Sequence, residues 1–421
     1  MALLPCLGLL LTLAGDPRLQ VSMHAPVVVI PHASRTPFLF CSGQGTMICQ
    51  AEFNAPPYHT KQKKVFSERL GTTISRDGGA TWRPYRLARR PNSDDVDIEG
   101  GVMQCADGTI VLLDTYVMAG ASPGHGVGEL WRSHDDFHSL EGPVWVDFHL
   151  PGIKFGSSAD DTGKPDESAR LHRSIVEMPN GDLLTLIYSW FAGDTAPAGY
   201  LAAMKKTRVV VVRSQDHGAS WSYLATVGVD SGVGTEGFGE PVMARIARGP
   251  HAGRLLCLSR TGRDLYGSHS DDAGQSWSRP LPIVFPGLDI RATKDWEKLF
   301  RDRKAPDFVP GDDMIGAVVD PDLIQMENGA LVCTVGVRIP AKRYKENWKT
   351  PRNGNYLAFS LDGGDTWSQV MQFRSGEATT QYMGVREVRR DVLFVVYDEV
   401  VRVQMPGAIK GFQIDVKRVV R

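Results

Sequence analysis

A turn signal followed at once by a short apolar run occurs six times along this 421-residue chain. The copies are GQGTMIC (43–49), ADGTIVLL (106–113), PNGDLLTLIY (179–188), HAGRLLCL (251–258), ENGALVCTV (327–335) and RRDVLFVVY (389–397). Another apolar stretch precedes each one: PFLF, GGVMQ, SIVEM, PVMARI, DLIQM and MGVREV. Two apolar runs of β-forming residues joined by a tight turn predict a β-hairpin. Six such hairpins are six copies of one supersecondary unit, and a repeat of this length implies a closed or stacked array.

A second repeat is locked to the first. The octapeptides SRDGGATW (75–82), SQDHGASW (214–221), SDDAGQSW (270–277) and SLDGGDTW (360–367) share Ser-x-Asp-x-Gly-x-Ser/Thr-Trp. Each follows its hairpin by one further strand, as in Thr207–Arg213 and Asn355–Ser360. The Asp can accept bonds from turn N–H groups, Gly supplies positive φ, and Trp tucks beneath as an apolar plug. SHDDFHSL (133–140) keeps only the Ser-x-Asp and reads as a weakened copy. Such turns mark a fold rather than a reaction. Four-stranded units around an axis make a β-propeller. The expectation is therefore an all-β chain: a six-bladed β-propeller with four-stranded antiparallel blades, spanning 26–421 as one domain. The segment GLDIRATKDWEKLFRDRK (287–304) reads as an amphipathic helix inserted between blades four and five.

Composition narrows the class. Gly 44 and Pro 26 together make about one residue in six, as many short elements with many turns require. Lys+Arg 47 against Asp+Glu 48 leaves no positive field for nucleic acid or an anionic membrane surface. None of the six cysteines forms a CxxC pair, so a zinc ribbon or redox motif is not expected. Cys49, Cys257 and Cys333 lie in apolar strand-like runs and read as buried free thiols. The N-terminal MALLPCLGLLLTLAG is too short to span a bilayer. Within residues 1–25 it suits the h-region of a signal peptide directing secretion or periplasmic export, although no Lys or Arg precedes it.

Aligning the hairpins on their turns yields candidate site residues. Eight residues before the turn Asp or Asn lie Glu99, His172 and Asp320; nine before the corresponding turn residue, Gln44 or Asp391, lie Arg35 and Tyr382. Glu240 opens the fourth unit, whose hairpin carries an extra loop at 247–253. Each innermost strand thus begins with a charged or hydrogen-bonding side chain, and in a propeller those positions ring one mouth of the channel. Strand ends are polar in any case, so the weight of the argument lies in six titratable or cationic types out of six.

The octapeptides resemble the Asp boxes of the sialidase superfamily, and Ser34-Arg35-Thr36-Pro37 before GQGTMICQAE resembles that family's Arg-Ile-Pro opening. The resemblance implies a carboxylate-binding arginine triad of Arg35, Arg260 and Arg352, with Arg338 competing for the third place. It implies Tyr382 as nucleophile and Glu240 as its base, without cofactor or metal. Three guanidiniums suit the carboxylate on the anomeric carbon of a sialic acid, and a neutral tyrosine can attack beside that charge. The family's acidic Asp after the first hairpin is missing: residues 54–68 contain none. His59, His172, Asp95 and Asp97 are the candidate replacements. Three functions compete: an exo-acting glycosidase on a sialoglycoconjugate or related acidic sugar; a lyase on uronate-containing glycans using Tyr382 and His172; and a non-catalytic glycan-binding propeller.

Overall fold

The computed structural model describes residues 11–31, 35–52, 70–87, 96–155, 168–199, 204–290, 316–339, 352–375, 381–399 and 407–419. Within them the chain is all-β and propeller-like, with one short 3₁₀ turn at Ile98–Gly100. No helix among the described residues is long and apolar enough to cross a membrane. Most of the segment expected to form an inserted helix, from residue 291 on, lies outside the described residues.

All six expected hairpins form. The first sheet runs Arg35–Cys41, Met47–Glu52, Leu70–Ser75, Arg83–Tyr85. Another runs Gly239–Arg245, Leu255–Arg260, Tyr266–Ser270, Leu281–Pro282. A third runs Ala317–Gln325, Leu331–Arg338, Gly354–Ser360, Gln369–Ser375, with Leu11–Ala14 added at its edge. The last runs Met383–Arg389, Val392–Glu399, Ala408–Arg418, Leu19–Met23, so that an N-terminal strand completes a C-terminal sheet. The sheet structure therefore starts before residue 26, the expected boundary, and Leu11–Ala14 of the h-region-like run is paired with Gln369–Ser375.

The remaining strands depart from six separate sheets. Two antiparallel runs, Gly101–His149 and Ser168–Gly228, belong to one ten-stranded sheet. They are joined where Asp147–His149 pairs in parallel with Ser220–Ser222, and again where Tyr116–Ala119 pairs with a strand of each run. The local cause is aromatic: Trp221 stacks on Phe148 with ring centroids 6.0 Å apart and planes 8° from parallel.

Both faces of each sheet are covered, which explains the unbroken apolar runs in the sequence. Val210 and Val212 point into the cluster shared with Leu130, Val146 and Phe148; Val209 and Val211 point into the one shared with Met243, Leu255 and Cys257. Like clusters fill the other interfaces, and one joins the last sheet to the first through Phe394, Val396, Leu39 and Cys49. Cys49, Cys257 and Cys333 are buried free thiols, as their settings imply.

The four octapeptide turns share their Ser and Asp hydrogen bonds, and in three of them, all but 360–367, the Trp indole also donates to the turn glycine. In 214–221, Asp216 Oδ1 accepts from Ser220 N–H at 2.9 Å and from Ser214 Oγ at 2.7 Å. Gly218 N–H donates to Ser214 Oγ at 2.8 Å, and Trp221 Nε1 to the Gly218 carbonyl at 3.1 Å. The expectation of four buried tryptophans holds for Trp221 and Trp367, whereas Trp82 and Trp277 are only half-buried. The strands after the first two are 9 and 7 residues long, those after the others 3 and 2. Short outer strands leave the indole rim uncovered.

The weakened copy is not weak. Asp135 accepts from Ser139 N–H at 2.8 Å and Ser139 Oγ at 2.6 Å, and Phe137 N–H donates to Ser133 Oγ at 2.9 Å. Phe137 takes the glycine position at φ 65° and is buried against Phe40 and Tyr85. Its packing offsets a backbone conformation that glycine adopts without cost. Asp135→Ala should lower the melting temperature by as much as Asp216→Ala does. An unchanged melting temperature for Asp135→Ala would show that Phe137 packing alone holds the turn.

Candidate active site

Sequence-local strain builds the site. Register shifts break the innermost strands between Arg35 and Phe38, Leu171 and Ile175, Gly239 and Val242, and Val319 and Asp322. Thr36, Arg173, Glu240, Asp320 and Gln381 all adopt positive φ. Non-glycine residues persist there only when their surroundings over-determine them. Bulges re-aim side chains. A regular strand would send His172 and Arg173 to opposite faces; with Arg173 at φ 56°, both meet the same carboxylates.

Those carboxylates and Arg173 form a buried network on the axis. Arg173 Nη2 lies 2.9 Å from Asp320 Oδ1 and 3.4 Å from Glu99 Oε1. The same guanidinium donates to the carbonyls of Pro37 and Met383. His172 is 1% exposed; its Nδ1 donates to the Pro241 carbonyl at 3.0 Å, leaving Nε2 3.8 Å from Glu99 and 3.9 Å from Asp320. Burial, aided by Arg173, pulls His172 down to about 4, so it is neutral at pH 7. Burial pushes Asp320 up, Arg173 pulls it back, and Glu240 and Glu99 add to the rise. Glu99, His172 and Asp320 offer ligand atoms within 4.8 Å of one another, the only such group among the described residues. Arg173 already supplies a positive charge to two of those oxygens.

Beside this network stands a tyrosine–carboxylate pair. Tyr382 Oη donates to Glu240 Oε1 at 2.6 Å. Arg260 Nη1 donates to the same oxygen at 2.6 Å and lies 3.2 Å from Tyr382 Oη, while its Nη2 reaches Glu236 Oε1 at 3.0 Å. The Arg338 guanidinium sits 5.2 Å from the centroid of the Tyr382 ring. Asp320 N–H donates to Glu240 Oε2 at 3.3 Å, tying the pair to the axis. Burial pushes the Glu240 carboxyl up, but Arg260, His172 and the tyrosine hydrogen bond outweigh it and hold Glu240 well below the usual carboxylate range. Burial and the charge on Glu240 raise Tyr382 well above its ordinary value. The pair is thus phenol and carboxylate, with the proton on Tyr382.

On the other side, Arg35 is ion-paired with Glu52. Arg170 lies 3.5 Å from Glu99, with its guanidinium over Tyr116 and Tyr188 at 5.4 and 6.0 Å. The structure thus brings Glu99, His172, Glu240, Asp320, Tyr382 and Arg260 into one connected cluster. Arg352, expected as the third triad arginine, does not reach it: it is exposed and donates to the Asp289 carbonyl at 3.1 Å. Arg338 stands beside Tyr382 because it ends a second strand, opposite Ala317, whereas Arg352 precedes the third strand, one further from the axis. His59 and Asp95 lie outside the described residues. Arg170, Arg173, Glu236 and Tyr188 were not singled out by sequence. The ends of second strands carried a usable signal, since Glu52, Tyr188, Arg260 and Arg338 all occupy such positions opposite an innermost strand.

No family model and no curated protein matches the chain. Solved structures do. A protein of unknown function from Dyadobacter fermentans is 17% identical, with a TM-score of 0.63, over 96% of this chain and 100% of that one. An alpha-L-arabinanase from Penicillium chrysogenum, complexed with arabinobiose, is 13% identical at TM-score 0.54 over 94% and 98%. The NanB sialidase of Streptococcus pneumoniae, in a K499G mutant, is 12% identical at 0.53 over 92% and 70%. At these identities the likeness is one of fold: this chain has the propeller architecture found in sialidases and arabinanases.

Neutral His172 has a consequence for stability. Between pH 6.5 and about 4 the unfolded chain takes up a proton that folded His172 refuses, so the folded state loses stability as pH falls through that window. The loss amounts to about 3 kcal/mol. Asp97, raised to about 6, works in the opposite sense, since its contribution is lost as pH rises through that value. The test therefore compares wild type with His172→Gln by denaturant unfolding at pH 7 and pH 4. The stability difference should shift by about 3 kcal/mol in favour of the variant at the lower pH. A difference that stays constant would mean that His172 takes up its proton in the folded protein as readily as in the unfolded chain.

Proposed function

We propose that the protein is an exo-acting glycoside hydrolase that removes a terminal sialic acid or related acidic sugar with retention of configuration. The observation that carries this reading is the 2.6 Å hydrogen bond from Tyr382 to Glu240, flanked by Arg260 and Arg338. In the first step Tyr382 Oη bonds to the anomeric carbon, its proton passes to Glu240 Oε1, and the glycosidic C–O bond breaks as the leaving oxygen is protonated. In the second step water attacks the same carbon, the bond from Tyr382 Oη to that carbon breaks, Glu240 returns its proton to Tyr382 to restore the phenol, and the water's proton goes to the group that had protonated the leaving oxygen. A phenol adds no negative charge near a substrate carboxylate, and Arg260 and Arg338 offer positive charge beside it. Arg35 and Arg260 are our candidates to bind that carboxylate, with Arg338 in the third place.

We also read the ten-stranded sheet as two fused blades, giving six in all. Apolar clusters between each neighbouring pair of four-strand groups support that count.

The lyase alternative needs His172 to exchange protons with substrate, and its 1% exposure and bonded Nδ1 weigh against that role. A purely binding propeller would have no need of an ionised carboxylate held against a tyrosine.

Tyr382→Phe should abolish turnover of an aryl sialoside while leaving binding of the free acidic sugar nearly unchanged, as read by calorimetry. Arg260→Ala should weaken that binding roughly tenfold to a hundredfold, the loss of one charge-assisted hydrogen bond. Turnover of an aryl arabinofuranoside instead of the sialoside would move the substrate to neutral sugars. An unsaturated product from a uronate polymer would establish the lyase.

A further inference from the structure

A glycosidase needs a second group, protonated before the reaction, to supply the leaving oxygen with a proton. Most carboxyls of the described site are ill-suited, because an arginine holds them. Glu52 is paired with Arg35, Glu99 with Arg170 and Arg173, Glu236 and Glu240 with Arg260, and Asp320 with Arg173. His172 is sealed, with Nδ1 committed to a backbone carbonyl. Asp97 differs from all of these.

Asp97 caps the 3₁₀ turn Ile98–Gly100, two residues ahead of Glu99 in the ring. Its Oδ1 accepts from Glu99 N–H at 3.2 Å and from Thr115 Oγ1 at 3.0 Å, which fixes the carboxyl at the start of the innermost strand. It forms no ion pair among the described residues, and it is partly exposed where flanking Val96 and Ile98 are buried. Asp114 approaches it closely, its Oδ2 accepting from Asp97 N–H at 3.4 Å. The charged groups that act on it come from three directions: Asp114 just beyond Ile110–Leu113, Arg170 on Ser168–Glu177, and Glu52 at the end of Met47–Glu52. Two of these three are carboxylates. Burial and Asp114 raise Asp97 to about 6, Arg170 opposing. Asp97 precedes the strand Gly101–Gln104, whereas Tyr382 precedes Met383–Arg389 and Glu240 lies in Gly239–Arg245. Arg170, which acts on Asp97, and Glu99, whose N–H donates to it, in turn touch Tyr188 and His172.

We infer that Asp97 is the general acid that protonates the leaving group, in place of an acid on the loop after the first hairpin. The inference rests on the glycosidase reading above. In the first step the Asp97 O–H proton passes to the glycosidic oxygen as its bond to the anomeric carbon breaks. In the second step the Asp97 carboxylate takes a proton from the attacking water and is restored. The pair of chemical steps consumes one water and leaves both residues unchanged.

The test measures Asp97→Asn against two substrates of the same sugar: sialyllactose, whose leaving group must be protonated, and an aryl sialoside with an acidic phenol, whose leaving group need not be. The variant should lose roughly hundredfold to ten-thousandfold in kcat/KM on sialyllactose and far less on the aryl glycoside. Wild-type activity on sialyllactose should fall as pH rises through about 6, and that limb should vanish in the variant. Asp97→Glu, which keeps the proton, should recover part of the rate, and thermal melting of both variants checks that they fold. Equal losses on the two substrates, or an unchanged rate on sialyllactose, would overturn the assignment and leave the glycosidase reading intact. A folded wild-type protein inert toward both sialosides would overturn that reading and the assignment with it.

Discussion

One guanidinium, that of Arg173, holds the centre of this molecule together. It reaches a backbone carbonyl at Pro37, another at Met383, and the carboxylates of Glu99 and Asp320. Those groups come from four different sheets or runs, so a single buried cation ties together innermost strands far apart in sequence. Taking a charge out of water is costly, and removing one partner from a buried pair typically costs 3–5 kcal/mol because its counter-charges are left bare. The network is thus a constraint as much as a stabiliser: no strand can move off axis without exposing a charge to apolar surroundings. Asp320 links it to the proposed reaction centre, its N–H bonded to Glu240.

The bulges follow from the same requirement. Innermost strands converging on an axis leave little room, and regular alternation would waste every second side chain on the sheet interfaces. Positive φ at Arg173, Glu240 and Asp320 turns consecutive residues toward the centre, at a strain of about 1–3 kcal/mol each. Apolar clusters between neighbouring sheets supply the stability against which that strain is held. The carboxylates then divide by surroundings. Arg260 keeps Glu240 ionised beside Tyr382, while at Asp97 burial and Asp114 outweigh Arg170 and the Glu99 N–H, so that it retains its proton nearer neutrality. Groups of one chemical type thus differ in protonation because their neighbours differ, the division on which the proposed reaction would draw.

The outer turns tell a complementary story. Their Ser-x-Asp core makes the same hydrogen bonds in SHDDFHSL as in the full copies, so the motif resides in the Asp and Ser side chains rather than in Gly or Trp. Where the following strand is long, the tryptophan is buried; in 214–221 it stacks across onto Phe148 and fuses two four-strand groups into one sheet.

The sequence by itself determined the local chemistry of the fold. Hairpin positions, octapeptide turns, buried thiols and the ring residues Glu99, His172, Glu240, Asp320 and Tyr382 depend on residues within one hairpin of each other, so spacing reveals them. Tertiary structure decided what no spacing encodes. Arg173 could not be foreseen at the axis, because alternation directs it away from His172 and only a bulge reverses that. Arg338 rather than Arg352 meets Tyr382 because the distance of each strand from the axis, not its distance along the chain, sets which side chain arrives. Fusion of two runs into a ten-stranded sheet, and the opposite protonation of Asp97 and Glu240, arise from contacts between units. Such contacts have long sequence separation, and their energies depend on burial and neighbouring charge, quantities that exist only once the chain has closed around its axis.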